Sequence, residues 1–329
     1  MSTYSIAIRT LGTGGAKYQN LLNSIKSQTV QPQNLFIIIA HGYDLPPERL
    51  GIEKYVYTQK GMWHQRVVSL EYASNFGGSD YILTLDDDVA FEPDFVEKCL
   101  SYMDSTSCDV LIPSTKSLKR SSMFSLRNIY SALSGIRIEN PFQKEAVAIL
   151  STAGFMVNNR ILTGAQPTQS GPFYAFIMRA DKVSALDLNS EYWLDKTRYS
   201  LPDDQVFFYK CHLMGLRQYR HSQITVEHLD HGSSDSNRSL DYAYACGKNF
   251  LVFWHRFLYK RASFFRRIWL EICFGYRVLI QLFTFLLIGL RKCDFAQFKK
   301  YYAGLADAVK YLRSKEYQNL PVLHKIVRV

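Results

Sequence analysis

The feature that most constrains this chain is a run of three aspartates, Asp86, Asp87 and Asp88, directly after the apolar segment 81–85. Segment 81–85, Tyr-Ile-Leu-Thr-Leu, is typical of a buried strand. Three adjacent carboxylates repel one another, so a strand end that holds them needs a counter-charge. Because Mg²⁺ and Mn²⁺ prefer carboxylate oxygens and are often shared with substrate phosphates, the triplet predicts a divalent cation site.

Strand-like and helix-like segments alternate through the first 90 residues, which indicates βαβ units and a parallel sheet. We therefore predict an α/β fold, a doubly wound and mostly parallel sheet flanked by helices. Ligands in such sheets bind beyond the carboxyl ends of the strands, where the triplet lies. The predicted strands are 4–8, 35–39, 54–58, 81–85, 109–112, 173–178 and 223–228; the predicted helices are 17–27, 63–74, 94–103 and 206–214.

The charge of the chain is unevenly distributed. Residues 247–329 carry 16 Lys and Arg against four Asp and Glu, whereas residues 1–246 carry 23 against 25. We predict a catalytic domain at 1–246, with a donor half to about 113 and an acceptor half from 114, and a basic helical tail at 247–329. Segment 116–149, with the basic stretch 119–122, is interpreted as an insertion that holds a variable acceptor loop.

Segment 268–290 of the tail is apolar but is interrupted by Glu271, Arg277 and Gln281, and basic residues flank it. Its longest part without a charged residue, 278–290, contains Gln281 and is shorter than the roughly 20 residues that a spanning helix needs. An interfacial helix or hairpin on an anionic membrane surface is favoured over a buried core helix or a true span. A nucleic-acid surface is disfavoured because the charges flank Phe and Leu rather than polar residues.

The chain has six cysteines without CxxC spacing, which predicts reduced thiols. The first residues lack a basic region or a cleavage site, so we expect a cytoplasmic enzyme at the cytoplasmic face of the membrane. The glycine-rich segment 12–15 follows the first strand, but it matches no complete phosphate-binding pattern and is interpreted as a flexible turn.

The order of these elements resembles the family 2 glycosyltransferases with the GT-A fold over residues 4–235. The motifs that carry the resemblance are Arg9-Thr10, segment 24–28, the triplet 86–88, segment 171–174 and the acidic pair 203–204. Arg220 lacks the following tryptophan of the processive synthases, so the resemblance implies a non-processive enzyme. It implies an inverting transfer of a sugar from a nucleotide-sugar, most simply a UDP-sugar, to a glycan or lipid-linked acceptor.

The resemblance also implies residue roles. Asp88 would bind Mn²⁺ or Mg²⁺, Asp86 would face the metal or the ribose of the donor, and Asp87 is an unassigned donor-side residue. Asp204 is favoured as the general base over Asp203. The implied third metal ligand is His228 or His231, and the implied donor contacts are Thr10 and Arg66.

Two other functions remain open on the sequence. A sugar-phosphate nucleotidyltransferase also places a glycine-rich loop after its first strand, but it needs a basic residue pattern of which segment 11–17 offers only Lys17. A non-catalytic, membrane-attached module that binds nucleotide-sugars is the other alternative. The sugar, the acceptor, the linkage and the oligomeric state are not specified by any pattern in the chain.

Overall fold

The computed structural model describes residues 2–116, 138–139, 143–149, 153–154, 156–158, 162–229 and 240–323. The strands there are β1 Tyr4–Thr10, β2 Asn34–Ala40, β3 Glu53–Thr58, β4 Tyr81–Asp86, β5 Val89–Phe91, β6 Val110–Thr115, β7 Ile138–Glu139, β8 Val147–Ile149, β9 Met156–Asn158, β10 Ala165–Pro167, β11 Ala175–Arg179 and β12 Gln218–His228. The helices are α1 Ala16–Lys26, α2 Met62–Phe76, α3 Phe95–Ser105, α4 Asp203–Leu213, α5 Leu240–Trp254, α6 Phe264–Lys292, α7 Ala296–Leu312 and α8 Lys315–Gln318. Short 3₁₀ turns fill much of 180–196, and a π-helical turn, His255–Tyr259, follows α5.

The predicted α/β fold is confirmed by the order of the main sheet, β10-β12-β6-β11-β4-β1-β2-β3, with β5 beside β12. Strands β3, β2, β1 and β4 are parallel to one another, and β12 is parallel to β6. Strand β11 runs antiparallel between β4 and β6. Strands β7, β9 and β8 form a separate small sheet.

Alternating side chains of the strands enter two hydrophobic cores on opposite faces of the sheet. On β1, Ile6 and Ile8 pack in the core that contains the apolar residues of α1 and α3. Ala7 faces the other core, where α2 and α4 pack. Helices therefore cover both faces, as a mostly parallel sheet requires.

Two elements begin three or more residues earlier than predicted. The helix predicted from Val206 begins at Asp203, so both acidic side chains lie in its first turn, where the helix dipole favours negative charge. The strand predicted from Gln223 begins at Gln218. Its first residues are polar but pair with β6, and the register shifts between His221 and Thr225, which hides the strand from a period-two pattern.

The basic tail is helical and continues the larger core. Phe253, Phe257 and Phe274 are buried in the same cluster as Phe207 and Phe208 of α4. Segment 268–290 lies within one continuous helix, α6, and not in a hairpin. It is also the one helix of the described residues that is long and apolar enough to cross a membrane. The basic stretch 119–122 lies outside the described residues.

Candidate active site

The aspartate triplet lies at the carboxyl end of β4, where parallel pairing aligns Asp86 with Arg9 of β1. The Arg9 guanidinium donates from Nε to Asp86 Oδ1 at 2.8 Å and from Nη2 to Oδ2 at 2.7 Å. This bidentate, charge-assisted ion pair fixes the orientation of the Asp86 carboxylate. The side chain of Arg9 therefore supplies the counter-charge for Asp86. The role of Asp86 as a metal ligand stays a prediction.

The second aspartate is held by Thr10, a predicted donor contact. The Thr10 hydroxyl donates to Asp87 Oδ2 at 2.6 Å and accepts from the backbone N–H of Gly12 at 2.9 Å. Burial raises the pKa of the Asp87 carboxyl, and the Thr10 hydrogen bond opposes that rise. Thr10 thus lies beside the triplet, as a donor-side residue must.

The third aspartate meets His228, because β12 pairs with β5 directly after the triplet. His228 Nε2 lies 3.3 Å from Asp88 Oδ2, and the Leu229 backbone N–H donates to the Asp88 carbonyl at 2.8 Å. The Tyr174 ring stacks on the imidazole with centroids 4.6 Å apart. These contacts place a carboxylate and an imidazole side by side at the end of the sheet.

The Asp88–His228 pair fits a divalent cation chemically. Asp88 Oδ1 is buried and accepts no hydrogen bond within the described part of the chain. An acceptor in that state is unsatisfied unless a cation or water binds it, and carboxylate with imidazole is a donor set that Mn²⁺ accepts. No group of three metal-binding side chains occurs in the described ranges, and the competing ligand His231 lies outside them.

Arg66 holds the acidic pair together at the start of α4. Its Nη1 atom lies 2.8 Å from Asp203 Oδ2 and 2.8 Å from Asp204 Oδ1. Only the contact with Asp204 has hydrogen-bond geometry. The guanidinium lies over the Phe173 ring, 4.0 Å from its centroid. Arg66 is predicted to contact the diphosphate or the uracil of the donor, and the structure places its guanidinium against the two predicted bases.

The two acidic residues differ in environment. The Asp203 side chain is 8% exposed and that of Asp204 is 43% exposed. Burial raises the pKa of Asp203 to about 6, although Arg66 acts in the opposite direction. Asp204 is thus the more accessible carboxylate, whereas Asp203 is the one whose proton affinity burial has increased.

A cavity of 760 Å³ brings these groups to a common space. Asp203, Asp204, His228 and Tyr174 line it, and residues of α5, α6 and α7 form its far wall. A volume of this order is typical of sites for small ligands. His228, one of the predicted metal ligands, therefore faces the same cavity as the two predicted bases, although they are separate in the sequence.

The sequence did not reveal the role of Asp195. Its carboxylate accepts from the backbone N–H groups of Trp63 at 2.9 Å and His64 at 2.7 Å, and from the Ser200 hydroxyl at 2.6 Å. It thereby caps α2, the helix that carries Arg66. Trp63 and His64 lie more than 130 residues from Asp195, so no local pattern signals the capping contact.

The glycine-rich turn 12–15 is not arranged around a phosphate. The Gly15 backbone N–H, at the start of α1, donates to Glu48 Oε1 at 2.9 Å. A carboxylate of the chain therefore occupies the position where a helix N-terminus would bind an anion. All six cysteines are free thiols, as predicted.

Residues 66–163 match the family model described as glycosyl transferase family 2. Similar solved structures include S. aureus TarS 1-349, with 13% identity, a TM-score of 0.47 and coverage of 94% of this chain and 92% of that chain. Another is the mannosyltransferase PcManGT from Pyrobaculum calidifontis in complex with GDP-Man and Mn²⁺, with 10% identity, a TM-score of 0.48 and coverage of 96% and 78%. No curated protein sequence matches the chain.

A mixed sheet with an acidic site at its strand ends is an α/β architecture in which ligands bind beyond the carboxyl ends of the strands. The family match confirms the resemblance inferred from the sequence over residues 66–163, the segment that matches glycosyl transferase family 2.

Proposed function

We propose that the chain is an inverting, metal-dependent glycosyltransferase that uses a nucleotide-sugar donor and a lipid-linked or glycan acceptor. The observation that carries the proposal is the shared cavity of His228, Asp203 and Asp204. The imidazole of His228 can bind a cation, and the carboxylates of Asp203 and Asp204 can accept a proton. Transfer of a sugar from a nucleoside diphosphate to a hydroxyl requires both kinds of group in one cavity.

Asp88 and His228 are the residues proposed to hold the cation. The buried, unsatisfied Oδ1 of Asp88 and the adjacent imidazole provide the donor set. Bound Mn²⁺ or Mg²⁺ would neutralise the charge that develops on the leaving nucleoside diphosphate. Asp86 is fixed by Arg9 and would face the ribose of the donor rather than the cation.

Asp204 is proposed as the general base. Its carboxylate would accept the proton of the acceptor hydroxyl while the acceptor oxygen bonds to the anomeric carbon. The bond from that carbon to the phosphate oxygen breaks, and the diphosphate leaves with the electron pair. Attack opposite the leaving group inverts the anomeric centre. Arg66 would orient the base through its hydrogen bond to Asp204 Oδ1.

The tail is proposed to attach the enzyme peripherally to an anionic membrane surface, at the cytoplasmic face. The exposed side of α6 is a continuous apolar row, which includes Phe265, Trp269, Leu279 and Phe283. The opposite side packs on the protein, with Leu270 and Phe274 buried. A helix with one protein-facing side and basic flanks fits the interface better than a lipid-surrounded span.

The test of this function is a screen of nucleotide-sugars for release of nucleoside diphosphate, with Mn²⁺ and Mg²⁺ supplied separately. One donor should be turned over with metal and not with EDTA. Asp204→Asn should abolish turnover and retain donor binding, whereas a collapse confined to Asp203→Asn would assign the base to Asp203. Full activity in EDTA would refute the metal dependence.

A further inference from the structure

The cavity at the acidic pair extends to the inner side of helix α6. Its far wall includes Phe274, Arg277 and Gln281 of α6, with Phe250 of α5 and Tyr301 of α7. The near wall carries the carboxylates of α4. The proposed base and the tail helix therefore border the same space, so a molecule in the cavity touches both.

The side chains of α6 that face the cavity and those that are exposed lie on opposite sides of the helix. Phe274, Arg277 and Gln281 are spaced by three and four residues, so they share one face. Ile272, Leu279 and Phe283, which are 56–66% exposed, are spaced by seven and four residues and lie on the opposite face. The helix proposed to lie on the membrane thus presents its other side to the cavity.

Arg277 brings a buried positive charge to this apolar and aromatic wall. The residue is 8% exposed, its Nη1 atom donates to the Ala153 carbonyl at 2.7 Å, and its guanidinium lies 4.4 Å from the centroid of the Phe250 ring. These contacts fix the orientation of the group. Burial disfavours the charge and lowers the pKa of Arg277 to about 10, which an anion in the cavity would reverse.

We propose that this cavity is the acceptor site and that Arg277 binds a phosphate group of the acceptor. The proposal rests on the proposed glycosyl transfer, since it assigns the acceptor side of that reaction. A guanidinium presents forked N–H donors that match a phosphate, and it is more strongly bound to an anion when both are shielded from water. The accepting hydroxyl would then extend from the phosphate toward Asp204, along the length of the cavity.

The phosphate could be carried by a lipid or by a soluble sugar, and binding measurements distinguish the two. Calorimetric titrations would compare farnesyl phosphate, glucose 1-phosphate and farnesol, with the donor site saturated by UDP and Mn²⁺. If farnesyl phosphate binds more tightly than both glucose 1-phosphate and farnesol, the phosphate is carried by a lipid. If glucose 1-phosphate binds as tightly as farnesyl phosphate, the phosphate is carried by a soluble sugar.

Arg277→Gln should weaken binding of the preferred phosphate about tenfold or more and leave farnesol unchanged. Gln281→Glu, which adds a negative charge one turn away and keeps Arg277, should weaken phosphate binding in the same direction. Thermal unfolding of both variants reports on folding. Phosphate affinity that is unchanged in Arg277→Gln, or an equal loss of affinity for farnesol, would overturn the proposal.

The titration separates this proposal from the proposed function because it measures binding and not turnover. If UDP and Mn²⁺ fail to bind, the proposed donor site is refuted. The same phosphate titrations without UDP would still test Arg277. If UDP binds and Arg277→Gln has no effect, only the acceptor assignment is refuted.

Discussion

Arg256 and Glu191 form a two-pronged ion pair inside the protein, with Nε to Oε2 and Nη2 to Oε1 both at 2.8 Å. Lys210 of α4 donates to the same carboxylate at 2.9 Å, and the Trp193 indole N–H donates at 2.7 Å. Glu191 is fully buried. Because Arg256 follows α5 and Lys210 lies on the helix that begins at Asp203, this cluster fixes the tail relative to the proposed base.

Glu191→Gln should lower the free energy of unfolding by about 3–5 kcal/mol, because it leaves two buried cations without their carboxylate. Chemical denaturation measures the change. The matched control is Glu316→Gln, whose partner Lys196 is exposed and whose loss should cost within about 1 kcal/mol. Equal effects of the two variants would show that the buried cluster is not a stability element.

Glu191 also predicts a pH dependence of stability. Burial opposes its ionisation, but Lys210 and Arg256 outweigh burial and lower its pKa to about 2, from an ordinary value of 4.5. A lowered carboxyl pKa stabilises the fold above the ordinary value and loses that contribution as pH falls between 4.5 and 2. The contribution is on the order of 3 kcal/mol. Acid titrations of unfolding should show a steeper loss for the wild type than for Glu191→Gln; parallel curves would contradict the assignment.

Arg66→Lys tests whether Arg66 serves the base or the donor. Lysine keeps the positive charge but lacks the planar array of N–H donors of arginine and its stacking on the Phe173 ring. If Arg66 orients Asp204, kcat should fall about tenfold or more while the donor KM changes little. A raised donor KM with unchanged kcat would support the diphosphate contact expected from the sequence instead.

The exposed row of α6 predicts membrane binding. Leu279→Glu with Phe283→Glu should reduce co-sedimentation with phosphatidylglycerol-containing vesicles by about tenfold or more, since both apolar contact and attraction to anionic lipid are weakened. Val309→Glu, at an exposed position of α7, is the control. Unchanged vesicle binding of the double variant would refute attachment through this face.

The parts of the fold that follow from local periodicity were predictable from the sequence. The apolar runs of β1, β2 and β4 and the order of the early helices gave the sheet, and parallel register would also have aligned Arg9 with Asp86. The polar start of β12 carries no period-two pattern, and its pairing depends on β6. Asp195 and Arg277 contact groups more than 120 residues away, so only the tertiary structure reveals them.

Asp88 is proposed to hold a divalent cation at the donor site, and binding of Mn²⁺ in the presence of UDP measures this role. Calorimetry or electron paramagnetic resonance would compare the wild type with Asp88→Asn and with the control Asp94→Asn, an exposed aspartate paired with Lys98. Asp88→Asn should weaken Mn²⁺ binding about tenfold or more, and Asp94→Asn should bind Mn²⁺ as the wild type does. Equal Mn²⁺ affinity in Asp88→Asn and the wild type would contradict this role of Asp88.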